Sequence, residues 1–231
     1  MNQRMTQDLA HKRPYLLASL IAGISFPATW LFLPLEGGLI ALVWKMAAVG
    51  LLVPFALHRH HVGEFVPLAV ILAFYALGDG LIEFSMVAGA LAFAVGHLVA
   101  IWLYVRHRRV APTFSQKLLA IAIFLLTPVI AYGLPPTTDE AVQVAAYSVI
   151  LAAMAAMAWS SNFPRYRVGL GAVLFVISDL LIFAELGPLA NSKVSGIAIW
   201  YLYYFGVLMI AVGVAQTLVK RGHYAAGEER D

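Results

Sequence analysis

The sequence predicts an all-α fold, a polytopic membrane bundle of eight helices with both termini cytoplasmic. Three observations predict it. Hydrophobic residues make up 62% of the chain and charged residues only 12%, with a mean hydropathy of +0.85. A soluble domain is about one-quarter charged, and no core of this size absorbs so much apolar surface. The apolar residues fall into runs of roughly 18–23, the length that spans about 30 Å of hydrocarbon. Of the 15 basic residues, all but Lys45 and Lys193 fall on one side once eight crossings are drawn. That asymmetry is the positive-inside pattern.

The expected spans run 15–33, 38–57, 64–83, 84–105, 117–134, 139–159, 168–186 and 197–219. Pro34, Pro112, Pro135, Pro136, Pro164 and Pro188 punctuate the connections. Only a turn around Glu83 to Met86 divides the third span from the fourth. Forty apolar residues must reverse somewhere, so one long helix is not credible there. The proline positions (Pro54, Pro67, Pro128) are expected near helix ends, leaving the spans unbroken. The whole chain, 1–231, reads as a single transmembrane domain with short cytoplasmic tails at 1–14 and 220–231. No cleavable signal peptide is expected, and the expected location is a bacterial inner membrane, crossed several times.

Composition also removes function classes. With no cysteine, thiolate metal sites, disulfides and Cys nucleophiles are excluded. A net charge of +3, scattered along the chain, does not suit nucleic acid. The run "LHRHHVGE" gathers His58, His60 and His61, but Arg59 beside them repels a cation, and zinc sites want ligands converging from fixed elements. Interfacial anchoring is the expected role there, and lipid-headgroup contact that of Arg106 to Arg109. No metal and no cofactor is expected.

The polar groups inside the apolar spans are the candidate site: Lys45, Asp79, His97 and Asp179, with Glu83 and Glu185 near the outer ends of their helices. Ionisable side chains within a membrane cost several kcal/mol unless paired or hydrated, so each is a functional hypothesis. At about 1.5 Å per residue, Lys45, Asp79 and Asp179 fall in the outer half of the bilayer, with His97 near mid-span. Tyr201, Tyr203 and Tyr204 share the outer depth. Gly89, Phe93 and His97 lie four apart on one helical stripe, and Gly171, Phe175 and Asp179 repeat the pattern. Such stripes also occur in ordinary membrane-helix packing. "GDGLIEF" and "SDLLIFA", in spans three and seven, suggest a parallel repeat of two four-helix halves.

At these residues the chain resembles the YhhN/TMEM86 family, whose characterised members are lysoplasmalogenases. The resemblance rests on "WKMAAVGLLV" at Lys45, "LGDGLIE" around Asp79, "GALAFAVGHLVAIW" through His97, "GAVLFVISDLLI" through Asp179, and the pair Tyr203 and Tyr204. It departs after that pair, where many relatives carry Gln and this chain has Val207. The resemblance implies cleavage of the vinyl-ether bond of alkenyl-glycerophosphocholine or -ethanolamine, giving a fatty aldehyde and a glycerophospho head group. The implied partners are a lysophospholipid substrate and the surrounding membrane lipids.

Enol-ether hydrolysis needs a proton donor, a negative group beside an oxocarbenium-like cation, and an activated water. Two carboxyl groups in unequal surroundings divide such tasks, as in glycosidases. Asp79 and Asp179 are the expected pair, with the acid between them left open. His97 is expected to orient a carboxylate or the water. Lys45 either keeps a carboxylate charged or binds the substrate phosphate. Tyr203, Tyr204, Ser178 and Glu83 complete the substrate-binding candidates, although the tyrosines also suit an aromatic belt and Glu83 and Glu185 a solvated interface. A small proton- or cation-coupled transporter using the same carboxylates is the rival reading. A metal-dependent lipid hydrolase of the ceramidase kind is a further one, weakened because His97 is the only histidine at bilayer depth.

Overall fold

The structure is a computed structural model that describes residues 3–32, 38–57, 62–190, 192 and 195–228. Side chains are described for 14–32, 38–57, 65–190, 192 and 195–221. The stretch holding His58, Arg59, His60 and His61 lies outside the described residues, as does Lys193. Helices follow one another along the chain: α1 (Gln3–Ser25), α2 (Ala28–Leu31), α3 (Leu39–Gly50), α4 (Leu52–Leu57), α5 (Val62–Leu81), α6 (Met86–Arg106), α7 (Phe114–Tyr132), α8 (Thr138–Ser160), α9 (Leu170–Glu185) and α10 (Ser195–Glu228). A π-helical turn, Arg165–Gly169, leads into α9.

Among the described residues, seven segments are long and apolar enough to cross a membrane, and Phe65–Leu81 in α5 is a shorter apolar helix. Large apolar side chains point outward along them, among them Ile21, Leu39, Leu91 and Val129, each more than 60% exposed. A folded chain in water leaves no such girdle uncovered; hydrocarbon solvates it. The protein is a multi-pass integral membrane protein.

Local chemistry explains the helix ends. Thr113 N donates to Gln116 Oε1 at 3.1 Å, half of a capping box that starts α7. Thr137 accepts from Glu140 N at 3.3 Å, and Asp139 and Glu140 in the first turn of α8 suit the positive end of its dipole. The turn expected near Glu83 to Met86 is found between Leu81 and Met86. The expectation of unbroken spans needs correction. The first span divides at Phe26–Pro27, between α1 and α2, and the second divides at Leu51, between α3 and α4. Pro54 has no N–H for the carbonyl four residues earlier, that of Gly50, so the ladder is interrupted there.

The helices pack as two compact units, Met1–Phe93 and Ala94–Asp231, and the boundary falls inside α6 rather than between the fourth and fifth spans. In the first unit α1 packs on α3 and α4, and both pack on α5. Ser19 Oγ donates to Ala48 O at 2.5 Å and Trp44 Nε1 to Ala22 O at 3.1 Å, tying α1 to α3. In the second unit α7 pairs with α8 and α9 with α10. Gly171 and Gly206 bring α9 and α10 close: a Cβ on Gly171 would stand 2.6 Å from Gly206 O.

Candidate functional site

In the second unit, α6, α8 and α9 each send one polar side chain to a shared hydrogen-bond chain. Tyr147 Oη donates to Asp179 Oδ2 at 2.8 Å. His97 Nε2 lies 3.2 Å from the same hydroxyl. Tyr147 has one hydroxyl proton, and it points at Asp179. With that proton given to Asp179, the oxygen is left to accept from His97, and the imidazole then carries its proton on Nε2. Both ends of the chain are buried: His97 is 0% and Asp179 6% exposed.

Aromatic rings hold this chain in place. His97 meets the edge of Phe175 at 4.9 Å between centroids and 74° between planes. Phe175 in turn meets Tyr203 at 5.1 Å and 87°. Trp200 stacks on Tyr204 with a 13° interplanar angle, and Tyr204 is fully buried. The tyrosine pair of α10 therefore faces inward, not into an aromatic belt at the bilayer surface. Ser178 Oγ donates to Ile199 O at 2.9 Å, joining α9 to α10 one residue from Asp179. The Gly171, Phe175 and Asp179 stripe thus has a division of labour, with close approach at the glycine, ring packing at the phenylalanine and polar chemistry at the aspartate.

The first unit holds the other expected carboxylate. Asp79 is 2% exposed and flanked by two glycines that neighbours fill. A Cβ on Gly78 would lie 2.8 Å from the Phe93 ring, and one on Gly80 would lie 2.6 Å from Met46 Sδ. The "GDG" spelling lets Phe93 of α6 and Met46 of α3 close on α5 around the aspartate. Lys45, one position before Met46, turns to the α5–α6 turn, where its Nζ meets Glu83 Oε1 at 2.5 Å. The carboxylate paired with Lys45 is therefore Glu83, not an aspartate, and Glu83 is engaged rather than merely solvated. The pair borders a cavity of about 300 Å³ whose walls include Phe26, Trp30, Leu42 and Phe84. Glu185, also expected at a solvated interface, accepts a hydrogen bond from Ser195 Oγ. Among the described residues, no three His, Asp or Glu side chains converge as metal ligands would.

The sequence profile of the YhhN family matches residues 40–214. The chain belongs to the YhhN family. No curated protein and no solved structure matches it. In this YhhN protein the matched stretch takes in both polar groupings, from Lys45 to Tyr204. It also takes in Tyr147, which is not among the candidates that the sequence marks. Tyr147 stands 50 residues from His97 and 32 from Asp179. The only signal for it was a tyrosine in mid-span, where a hydroxyl far from water needs a partner.

Proposed function

We propose that this YhhN protein is an intramembrane hydrolase that cleaves the vinyl-ether bond of lysoplasmalogens, releasing a fatty aldehyde and a glycerophospho head group. The observation that carries the reading is the buried Asp179–Tyr147–His97 chain, a carboxyl wired to an imidazole through a single hydroxyl. The family resemblance supplies the substrate class, and the chain supplies chemistry that suits it. Protonation of the alkenyl carbon remote from oxygen gives an oxocarbenium ion. Water adds to that ion and loses a proton, and the hemiacetal collapses to aldehyde and glycerol hydroxyl. One water is consumed and the catalyst's proton is returned.

In this scheme Asp179 delivers the proton and, once ionised, stabilises the cation. The imidazole of His97, with its proton on Nε2, takes up the proton that the attacking water loses. Two hydrogen bonds then carry a proton from Nε2 through Tyr147 back to Oδ2. General acid–base groups of this kind contribute roughly 10²–10⁴-fold each. Asp79 is the second carboxyl of the proposal on residue type and burial, and its role is tested by its own substitution. Tyr203 packs the Phe175 ring that supports His97, so its ring helps to position the imidazole.

Transport remains the second reading, because the interruption of the second span at Leu51 is of the sort that discontinuous transporter helices show. Aldehyde release from a lysoplasmalogen by purified protein separates the two. The hydrolase reading expects turnover by the wild type and loss of at least roughly 100-fold in kcat for folded Asp179→Asn and Asp79→Asn. Wild-type protein that releases no aldehyde from choline or ethanolamine lysoplasmalogens would sink the reading. Full activity in Asp179→Asn would sink the mechanism and spare the activity.

A further inference from the structure

The cavity in the first unit carries a charge pattern that the hydrolytic scheme does not use. Lys45 and Glu83 sit together at its border, their side chains 15% and 41% exposed. One of the three N–H groups of Lys45 meets Glu83 Oε1. Two donors and the second carboxylate oxygen remain to face the cavity, among the described residues. Aromatic rings also line the cavity. Phe26 and Trp30 pack edge to face with centroids 5.0 Å apart, and Phe84 adds a third ring. These groups come from the α1–α2 link, α2, the first two turns of α3 and the α5–α6 turn, toward one end of the unit. That is where the headgroups of lipids lie against a membrane protein.

A lone anion entering the cavity gains Lys45 but meets Glu83 beside it. A lone cation gains Glu83 and meets Lys45. A ligand with both charges, a short linker apart, satisfies both without separating the pair. Its phosphate oxygens accept from Lys45, and its ammonium lies against Glu83 and the ring faces. Aromatic faces favour quaternary ammonium in particular.

We propose that this cavity binds the zwitterionic phospho-ammonium headgroup of a membrane lipid, with Lys45 on the phosphate and Glu83 and Trp30 on the ammonium. That the bound lipid is also the one hydrolysed rests on the proposed function; the binding itself does not.

Full-length protein in maltoside detergent tests the site. Three probes share one saturated alkyl-ether tail and lack the vinyl ether: a phosphocholine, a phosphate monoester and a trimethylammonium lipid. The expected result is binding of the phosphocholine lipid about tenfold tighter than either single-charge lipid. Glu83→Gln is expected to abolish its advantage over the phosphate lipid, and Lys45→Met to weaken it by about tenfold. Trp30→Leu leaves the ion pair in place, so it decides the matter should either charge variant fail to fold. It is expected to weaken both ammonium lipids and leave the phosphate lipid unchanged. Equal binding of the three lipids by the wild type overturns the proposal, as does an unchanged rank order in folded variants. Aldehyde release measured on the same preparations keeps the two readings apart. Selective binding without turnover sinks the hydrolase reading alone. Turnover without selective binding sinks this site alone.

Discussion

Tyr147 has one hydroxyl proton and two polar neighbours, so removing that hydroxyl tests the candidate site with a single oxygen. In Tyr147→Phe the ring still packs against Phe183, which it meets at 6.0 Å and 83°. His97 and Asp179 lose the atom between them. A buried polar group left without its partner costs about 1–3 kcal/mol. If the hydroxyl only anchors the helices, stability falls by that amount and kcat in aldehyde release follows the folded fraction. If it relays a proton, kcat falls by roughly 10- to 100-fold in protein that is fully folded, with little change in KM. The proposed function expects the second outcome. Asp179 and His97 were legible in the sequence because ionisable groups stand out in apolar spans. Tyr147 was not, because a tyrosine in a membrane helix usually reads as packing, and its two partners lie on other helices. The Lys45–Glu83 pair was half legible. Each residue stood out singly, but their separation of 38 positions hid that Lys45 of α3 reaches the α5–α6 turn.

Helix identity was the easiest part to read, since hydropathy over some twenty residues marks a crossing whatever the neighbours do. Breaks within a span were harder. Pro54 looked terminal because it lies close to Leu57, yet its missing N–H acts one turn earlier, at Gly50. Close approach of two helices was legible only as a glycine spacing, and the structure turns the spacing into distances. A Cβ on Gly206 would stand 2.7 Å from Gly171 O and 3.2 Å from Phe175 N, both backbone atoms that cannot step aside. Gly206→Ala must therefore push α9 from α10, at a cost of about 1–3 kcal/mol. Gly50→Ala provides the comparison: its Cβ would meet only Ala76 Cβ at 3.8 Å, an ordinary contact. Alanine is also the better helix former, by about 1 kcal/mol. Thermal unfolding in detergent should show a lowered midpoint for Gly206→Ala and an unchanged or raised one for Gly50→Ala. Equal effects would mean that the α9–α10 contact is looser than its geometry.

The sidedness of the whole molecule turns on α5, whose apolar part, Phe65–Leu81, is the shortest of the candidate crossings. At about 1.5 Å per residue the full helix, Val62–Leu81, reaches about 30 Å, enough to cross. If it crosses, the number of spans is even and the basic connections gather on the cytoplasmic side. If it does not, every later connection changes sides, and Arg106, Arg108, Arg109, Arg165, Arg167 and Arg221 face outward against the positive-inside bias. Within the second unit these basic residues do share one end. Asn162 N donates to His107 O at 2.7 Å, Arg108 bridges to Ser161, and Arg221 lies 5.6 Å from the Phe163 ring. Their side of the membrane therefore changes together or not at all. The chain has no cysteine, so single substitutions give a clean test with a membrane-impermeant thiol reagent on intact cells. Val110, 96% exposed, follows the basic run; Ser85 and Thr138 are exposed in two of the connections assigned to the far side. With eight crossings, Ser85→Cys and Thr138→Cys are labelled and Val110→Cys is protected until the cells are opened. The reverse pattern would mean that the bundle is inverted, since Lys45 and Glu83 hold the α5–α6 turn at the end of the unit where α3 begins. The cavity of Lys45 and Glu83 would then open toward the cytoplasmic leaflet, and its lipid would be drawn from there.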